Sequence, residues 1–178
     1  MKKILFILAF ITIILIFVNK KEEYVVIPSN SIRFRIIPNS NALEDIAMKE
    51  KVKEEINDTI KDIETSNSID ESRKLIVNNI PVINKKIDNL FKENNYDKSF
   101  NIKYGLNYFP EKVYKGVKYT EGEYESMVIE IGNASGDNYW CVLFPPLCMI
   151  DAKESTDVEY KFFISEVINK FLKQKKSL

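Results

Sequence analysis

Between Asn41 and Leu90 apolar residues, isoleucine above all, mostly keep three- and four-residue steps, whereas on both sides of that stretch apolar residues return every second residue. A chain whose apolar period runs from two to 3.6 and back must combine strands with helices. Ile32, Phe34 and Ile36 alternate with Arg33 and Arg35 as on a half-buried strand with one wet face, and Pro38 with Asn39 closes it. Asn41 and Glu44 have capping-box spacing. From there Leu43, Ala47, Val52, Ile56, Ile60 and Ile63 form one apolar stripe. Ser68 and Glu71 repeat the capping spacing before a second stripe of Ile69, Ile76, Ile80, Ile83, Ile87 and Leu90. Pro81 inside that stripe predicts either a kink or two consecutive helices.

After Asn94 and Asn95, Phe100, Ile102, Tyr104, Leu106 and Tyr108 alternate along a long strand. Further strands are expected from Glu123 to Ile131 and from Tyr139 to Phe144, joined by loop chemistry from Gly132 to Asn138. Val158, Phe162, Val167, Ile168, Phe171 and Leu172 predict an amphipathic C-terminal helix whose closing lysines complement its dipole. The expected fold class is therefore α+β. One mixed or antiparallel sheet of about four strands is packed by two or three helices on one face.

At the N-terminus Lys2 and Lys3 precede an apolar run from Ile4 to Val18 interrupted only by Thr12, the pattern of a signal segment. Such a helix reaches about 22 Å, short of a hydrocarbon core of about 30 Å. The length favours a signal peptide, yet no small-x-small cleavage site follows, so a retained anchor touching the membrane through residues 4–18 stands as the alternative. The chain thus divides into a signal or anchor (1–21), a tether (22–30), a folded domain (31–152) and the C-terminal helix (153–178). The domain is expected outside the cytoplasmic membrane.

Composition matters for what it removes. Lys plus Arg and Asp plus Glu are both 26, so no net field draws the chain to nucleic acid. Histidine is absent, which removes the commonest general base and metal ligand at neutral pH. No cofactor or metal signature is present; Gly132 and Gly136 lack the Lys-Ser/Thr of a phosphate-binding loop. Glu111, Glu123, Glu125 and Glu130 are the candidates for a carboxylate pair of the glycosidase type, although wet strand and loop charges explain them as simply. Cys141 and Cys148 lack a histidine base for nucleophilic work and fall two ligands short of a structural zinc site. In an exported domain an even cysteine count points to a disulfide across the Pro145-Pro146 turn, with buried free thiols as the alternative.

The string Tyr139-Trp-Cys-Val-Leu-Phe-Pro-Pro-Leu-Cys148 is dense in aromatic, proline and cysteine residues. Together with Arg33-Phe-Arg-Ile-Ile-Pro-Asn-Ser40, Phe109-Pro-Glu-Lys-Val-Tyr114 and Glu121-Gly-Glu-Tyr-Glu-Ser126, it closely resembles the stage II sporulation protein R family, in order from about Ile32 to Asp151. The resemblance implies a non-enzymatic protein made in the forespore and exported into the space between the two cell membranes. There it would activate the mother-cell membrane aspartic protease SpoIIGA, which processes the precursor of sigma factor E. Receptor contacts are expected among Phe109, Tyr114, Tyr124, Trp140, Pro145 and Pro146, because interface centres favour rigid aromatic anchors; filling the core is the competing role for the same residues. Readings from other classes are a secreted carboxylate-dependent cell-wall hydrolase and a structural envelope component.

Overall fold

The computed structural model describes residues 24–148 and 156–176; the segment expected as signal or anchor lies outside them. Ten elements follow in order: β1 (Val25–Val26), β2 (Ile32–Ile37), α1 (Leu43–Glu64), α2 (Ile69–Glu93), β3 (Phe100–Phe109), β4 (Lys112–Tyr114), β5 (Val117–Tyr119), β6 (Gly122–Ile131), β7 (Tyr139–Phe144) and α3 (Asp157–Lys176). The fold is α+β. A four-stranded mixed sheet runs β3-β6-β2-β7, with β2 parallel to β6 and antiparallel to β7. The sequence pointed to this sheet alone. A second, three-stranded sheet, β1-β5-β4, is an addition to that expectation, and β1 lies inside the segment read as a tether.

The period-two pattern of β2 explains how the layers meet. Ile32, Phe34 and Ile36 point to one face, where they join Val52, Ile56, Ile60 and Ile63 of α1 and Ile76, Ile83 and Ile87 of α2 in the main core. Arg33, Arg35 and Ile37 point to the other face, and this face is not wet. Beside it Ile27, Val117, Tyr119, Tyr160, Ile164 and Ile168, from the small sheet and α3, form a second core with Val142 of β7. Arg33 is consequently 0% exposed, which corrects the half-wet reading of β2.

The helices begin differently from one another. Ser68 caps α2 as its spacing predicts, its Oγ accepting the Glu71 amide at 3.2 Å, while Glu71 accepts the Asn67 amide at 2.8 Å. Asn41 does not cap α1. Its side chain instead accepts the Asp137 amide at 2.7 Å, and Ala42 holds the cap position without a side-chain bond. The start of α1 is fixed by Asp45, whose carboxylate accepts Ser40 Oγ and Tyr96 OH at 2.5 Å each and Asn39 Nδ2 at 2.9 Å. Two stretches of chain, the turn at Asn39-Ser40 and Tyr96, are thereby tied to the first turn of α1, and Ser40 leads in holding the Asp45 carboxyl below its ordinary range. Pro81 lies within a single helix, so the two-helix alternative is not the one adopted.

Two stripe assignments shift. In α1 Leu43 is 90% exposed and Met48, not Ala47, enters the core. In α3 the buried face is Tyr160, Ile164 and Ile168, and Phe162 is exposed. The loop after β6 closes on the turn after β2. Gly132 has φ +53°, a Cβ there would collide with the Asn39 side chain, and Asn39 Oδ1 accepts the Asn133 amide at 2.9 Å.

Candidate functional site

On the second face of the large sheet the aromatic residues of the characteristic strings converge on two arginines. The Arg33 guanidinium lies 3.3 Å from the centroid of the Tyr124 ring, 5.4 Å from Phe109 and 5.8 Å from Tyr119. Its Nη1 donates to the Thr120 carbonyl at 3.1 Å, while Nε and Nη2 have no hydrogen-bond partner. A planar, weakly hydrated cation tolerates such a site because ring faces replace part of its hydration. Burial still lowers the Arg33 pKa from its ordinary value, against the opposing influence of the tyrosines. Arg35 lies 4.7 Å from the Phe109 centroid and 5.9 Å from Trp140. Lys112 of β4 approaches Trp140 from outside at 5.2 Å, and its partial burial lowers its pKa.

Trp140 connects this cage to a groove of about 590 Å³ along β7. One wall is α1, where Lys49, Lys53, Asn57 and Lys61 recur every fourth residue; the opposite wall includes Lys112, Tyr114 and Tyr160. Between the walls the groove is lined by the consecutive residues 138–142 of β7 and its approach, with Leu147 and Cys148. Lys49 Nζ donates to the Asp137 carbonyl at 3.0 Å, and Lys53 Nζ lies 4.8 Å from the Tyr139 ring centroid. Cys141 and Cys148 are joined in a disulfide with Cα atoms 5.2 Å apart, as the exported-domain argument expected. The Leu147 amide donates to the Val142 carbonyl at 3.1 Å inside this loop, and Glu64 Oε1 accepts the Cys148 amide at 2.6 Å. Glu64 and the two sulfurs form a cluster of metal-ligand type, but the sulfurs are bonded to each other and offer no thiolate.

The structure separates the six expected contact residues. Phe109 (0% exposed), Tyr124 (7%) and Pro145 are buried, in keeping with the competing core role, and Phe109 and Tyr124 enclose Arg33. Trp140 and Pro146 are half-buried, Tyr114 is 40% exposed, and Trp140 and Tyr114 line the groove. Arg33 and the α1 lysines were missed. The four-residue lysine step was a legible signal for the wall; nothing in β2 distinguished a buried arginine from a wet one.

The four glutamates do not converge into a pair. Glu125 receives Arg73 Nε and Nη2, at 3.0 and 2.8 Å, and Tyr104 OH at 2.6 Å, and the Arg73 bond leads in lowering its pKa. Glu130 lies on the opposite face of β6 and pairs with Lys103 at 2.7 Å, and Glu111 pairs with Lys118 at 2.8 Å. Glu123 is exposed on β6. A carboxylate held ionised by an arginine is a poor general acid, so Glu125 is suited to joining α2 to the sheet.

Among the described residues no helix is long and apolar enough to cross a membrane. The family described as stage II sporulation protein R matches residues 28–154. A curated relative, the stage II sporulation protein R of Bacillus subtilis (strain 168), is 35% identical over 151 residues, covering 79% of this chain and 66% of the relative. The chain therefore spans just under two thirds of that relative's length. No solved structure matches the chain.

Proposed function

The chain belongs to the stage II sporulation protein R family, and from that premise we propose that it is an extracytoplasmic signal of sporulation. It acts as a ligand: from the forespore side of the intermembrane space it activates the membrane aspartic protease SpoIIGA of the mother cell, which then processes the sigma-E precursor. The observation that carries this reading is the family match, which runs from before β2 to beyond β7. The Cys141–Cys148 bridge supports an extracytoplasmic address, because such bonds persist in oxidising compartments. The ion-paired state of Glu125 and Glu130 gives the hydrolase alternative no support.

Co-expression in a non-sporulating bacterium tests the proposal. With the protease and the precursor present, cleaved sigma factor is expected only when this chain is also made and exported. Equal cleavage without it, or none with all three, would sink the reading.

A further inference from the structure

The four-stranded sheet ends at β7, which pairs with β2 on one side only. Along an antiparallel strand each residue's N–H and C=O point to the same side, and that side alternates. The Val142 carbonyl is turned away from β2, since it accepts the Leu147 amide. Trp140, two residues earlier, therefore also presents its amide and carbonyl outward. That outward edge lies along the groove, which residues 138–142 line consecutively. The helical layer and the small sheet with α3 overhang this edge from the two sides, leaving a slot. An open edge of this kind is the surface to which extended peptides add as a further strand. The slot's charge states what kind of peptide fits: four lysines line it against two glutamates, and the ion pairs of the α1 lysines, with Glu50 at 3.6 Å from Lys49 and 4.0 Å from Lys53 and with Asp58 at 3.4 Å from Lys61, leave an excess of positive charge. Among the described residues no carboxylate forms an ion pair with Lys112, whose lowered pKa reflects burial beside the Trp140 ring.

We propose that the β7 edge binds an extended acidic segment of a partner protein, added as a strand beside Trp140 between the lysines of α1 and Lys112. The partner's main chain pairs with the Trp140 edge, its carboxylates meet Lys53, Lys61 and Lys112, and its alternate apolar side chains rest on Trp140 and Tyr114. This rests on the reading of the chain as a ligand and names the chemistry its partner brings. The disulfide has a part here, because it holds residues 145–148 folded back, where the Leu147 amide occupies the outward Val142 carbonyl and ends the open edge there.

Trp140 is the chain's single tryptophan, so its fluorescence reports on the groove directly. The full chain, held in neutral detergent, is titrated with a capped octapeptide alternating Glu and Val, with the same peptide carrying Lys for Glu, and with inorganic polyphosphate. A saturable change with the acidic peptide is expected, at least tenfold weaker with the basic one and at least tenfold weaker for the double variant Lys53→Glu, Lys112→Glu. A thermal unfolding curve like that of the unaltered chain establishes that this variant is folded. Hydrogen exchange at the Trp140 amide should slow on peptide binding. No saturable change, equal binding by the folded double variant, an unprotected Trp140 amide, or a response to polyphosphate without one to the peptide overturns the proposal. The titration contains no protease, so its failure leaves the co-expression result standing, and failure of the co-expression leaves the titration interpretable.

Discussion

Arginine 33 is the residue whose replacement tests the architecture most sharply. Its guanidinium lies 3.3 Å from the Tyr124 centroid, is 0% exposed as a residue, and has one hydrogen bond, to the Thr120 carbonyl. A desolvated cation–π contact contributes about 2 kcal/mol or more, and a hydrogen bond from a charged donor about 1.5–3 kcal/mol. Lysine retains the charge but has no planar face to stack, and its compact ammonium is more strongly hydrated. Arg33→Lys should therefore destabilise the fold by about 3 kcal/mol at pH 7, lowering Tm by roughly 6–12 °C for a chain of this size. The pH dependence carries a sign of its own. A buried lysine has its pKa pushed below its unfolded value of about 10.4, so the variant is least stable below the folded pKa and recovers as pH rises toward the unfolded one. Arg33 stays charged across that range, so wild type lacks this contribution. Denaturant unfolding of both proteins at pH 7 and pH 9.5 should show the gap between them narrowing at the higher pH. Arg33→Met, which removes the charge and keeps the stem, should cost less than lysine at pH 7. A lysine variant within about 0.5 kcal/mol of wild type, or a gap that does not change with pH, would refute the reasoning.

Opening the Cys141–Cys148 bridge, with residues seven apart, should cost roughly 2 kcal/mol by loop entropy, read as a lower Tm in reductant; an unchanged Tm contradicts it. Asp45 is held ionised chiefly by Ser40 and then Tyr96, and its folded pKa is depressed. Its stabilisation is present above the unfolded pKa of about 3.9 and lost as pH falls through the folded value; Asp45→Asn should cost about 1–3 kcal/mol at pH 7 and much less near pH 2. Gly132→Ala should cost about 1–3 kcal/mol, since it combines φ +53° with a clash against Asn39. Leu43→Glu, at a position 90% exposed, should change stability by less than about 0.5 kcal/mol, whereas Met48→Ala should cost about 2–5 kcal/mol; similar effects would mean that α1 is wrongly phased.

Much of this was legible because period and capping are local properties. The Ser68–Glu71 spacing located the start of α2 to the residue, and the run Tyr139–Phe144 appeared as β7 with the bounds its composition suggested. Other features depend on partners distant in sequence. Val25–Val26 and Val117–Tyr119 are too short to show any period, and they are strands because they pair with each other across the chain. Arg33 occupies the position of a wet residue by alternation, and only the rings of Phe109 and Tyr124 beside it, with Tyr119 of the second layer, make it a buried one. Phe162 fits a helical stripe but lies outside the arc that faces the second core, since Tyr160, Ile164 and Ile168 fill that arc. At the candidate site the aromatic string marked the right place without separating floor from core. Trp140 and Phe109 have ring centroids 5.3 Å apart, yet one lines the groove and the other is fully buried.

The proposed role has this chain act by contact from outside the membrane while the protease performs the cleavage. Its most direct test is a liposome with the protease reconstituted in one orientation, the sigma-E precursor enclosed, and the purified full chain added to the outer bath. The account predicts precursor cleavage that rises and saturates with the added chain, and none when a catalytic aspartate of the protease is replaced. Cleavage that persists in liposomes lacking the protease, or that never depends on the added chain, would contradict it.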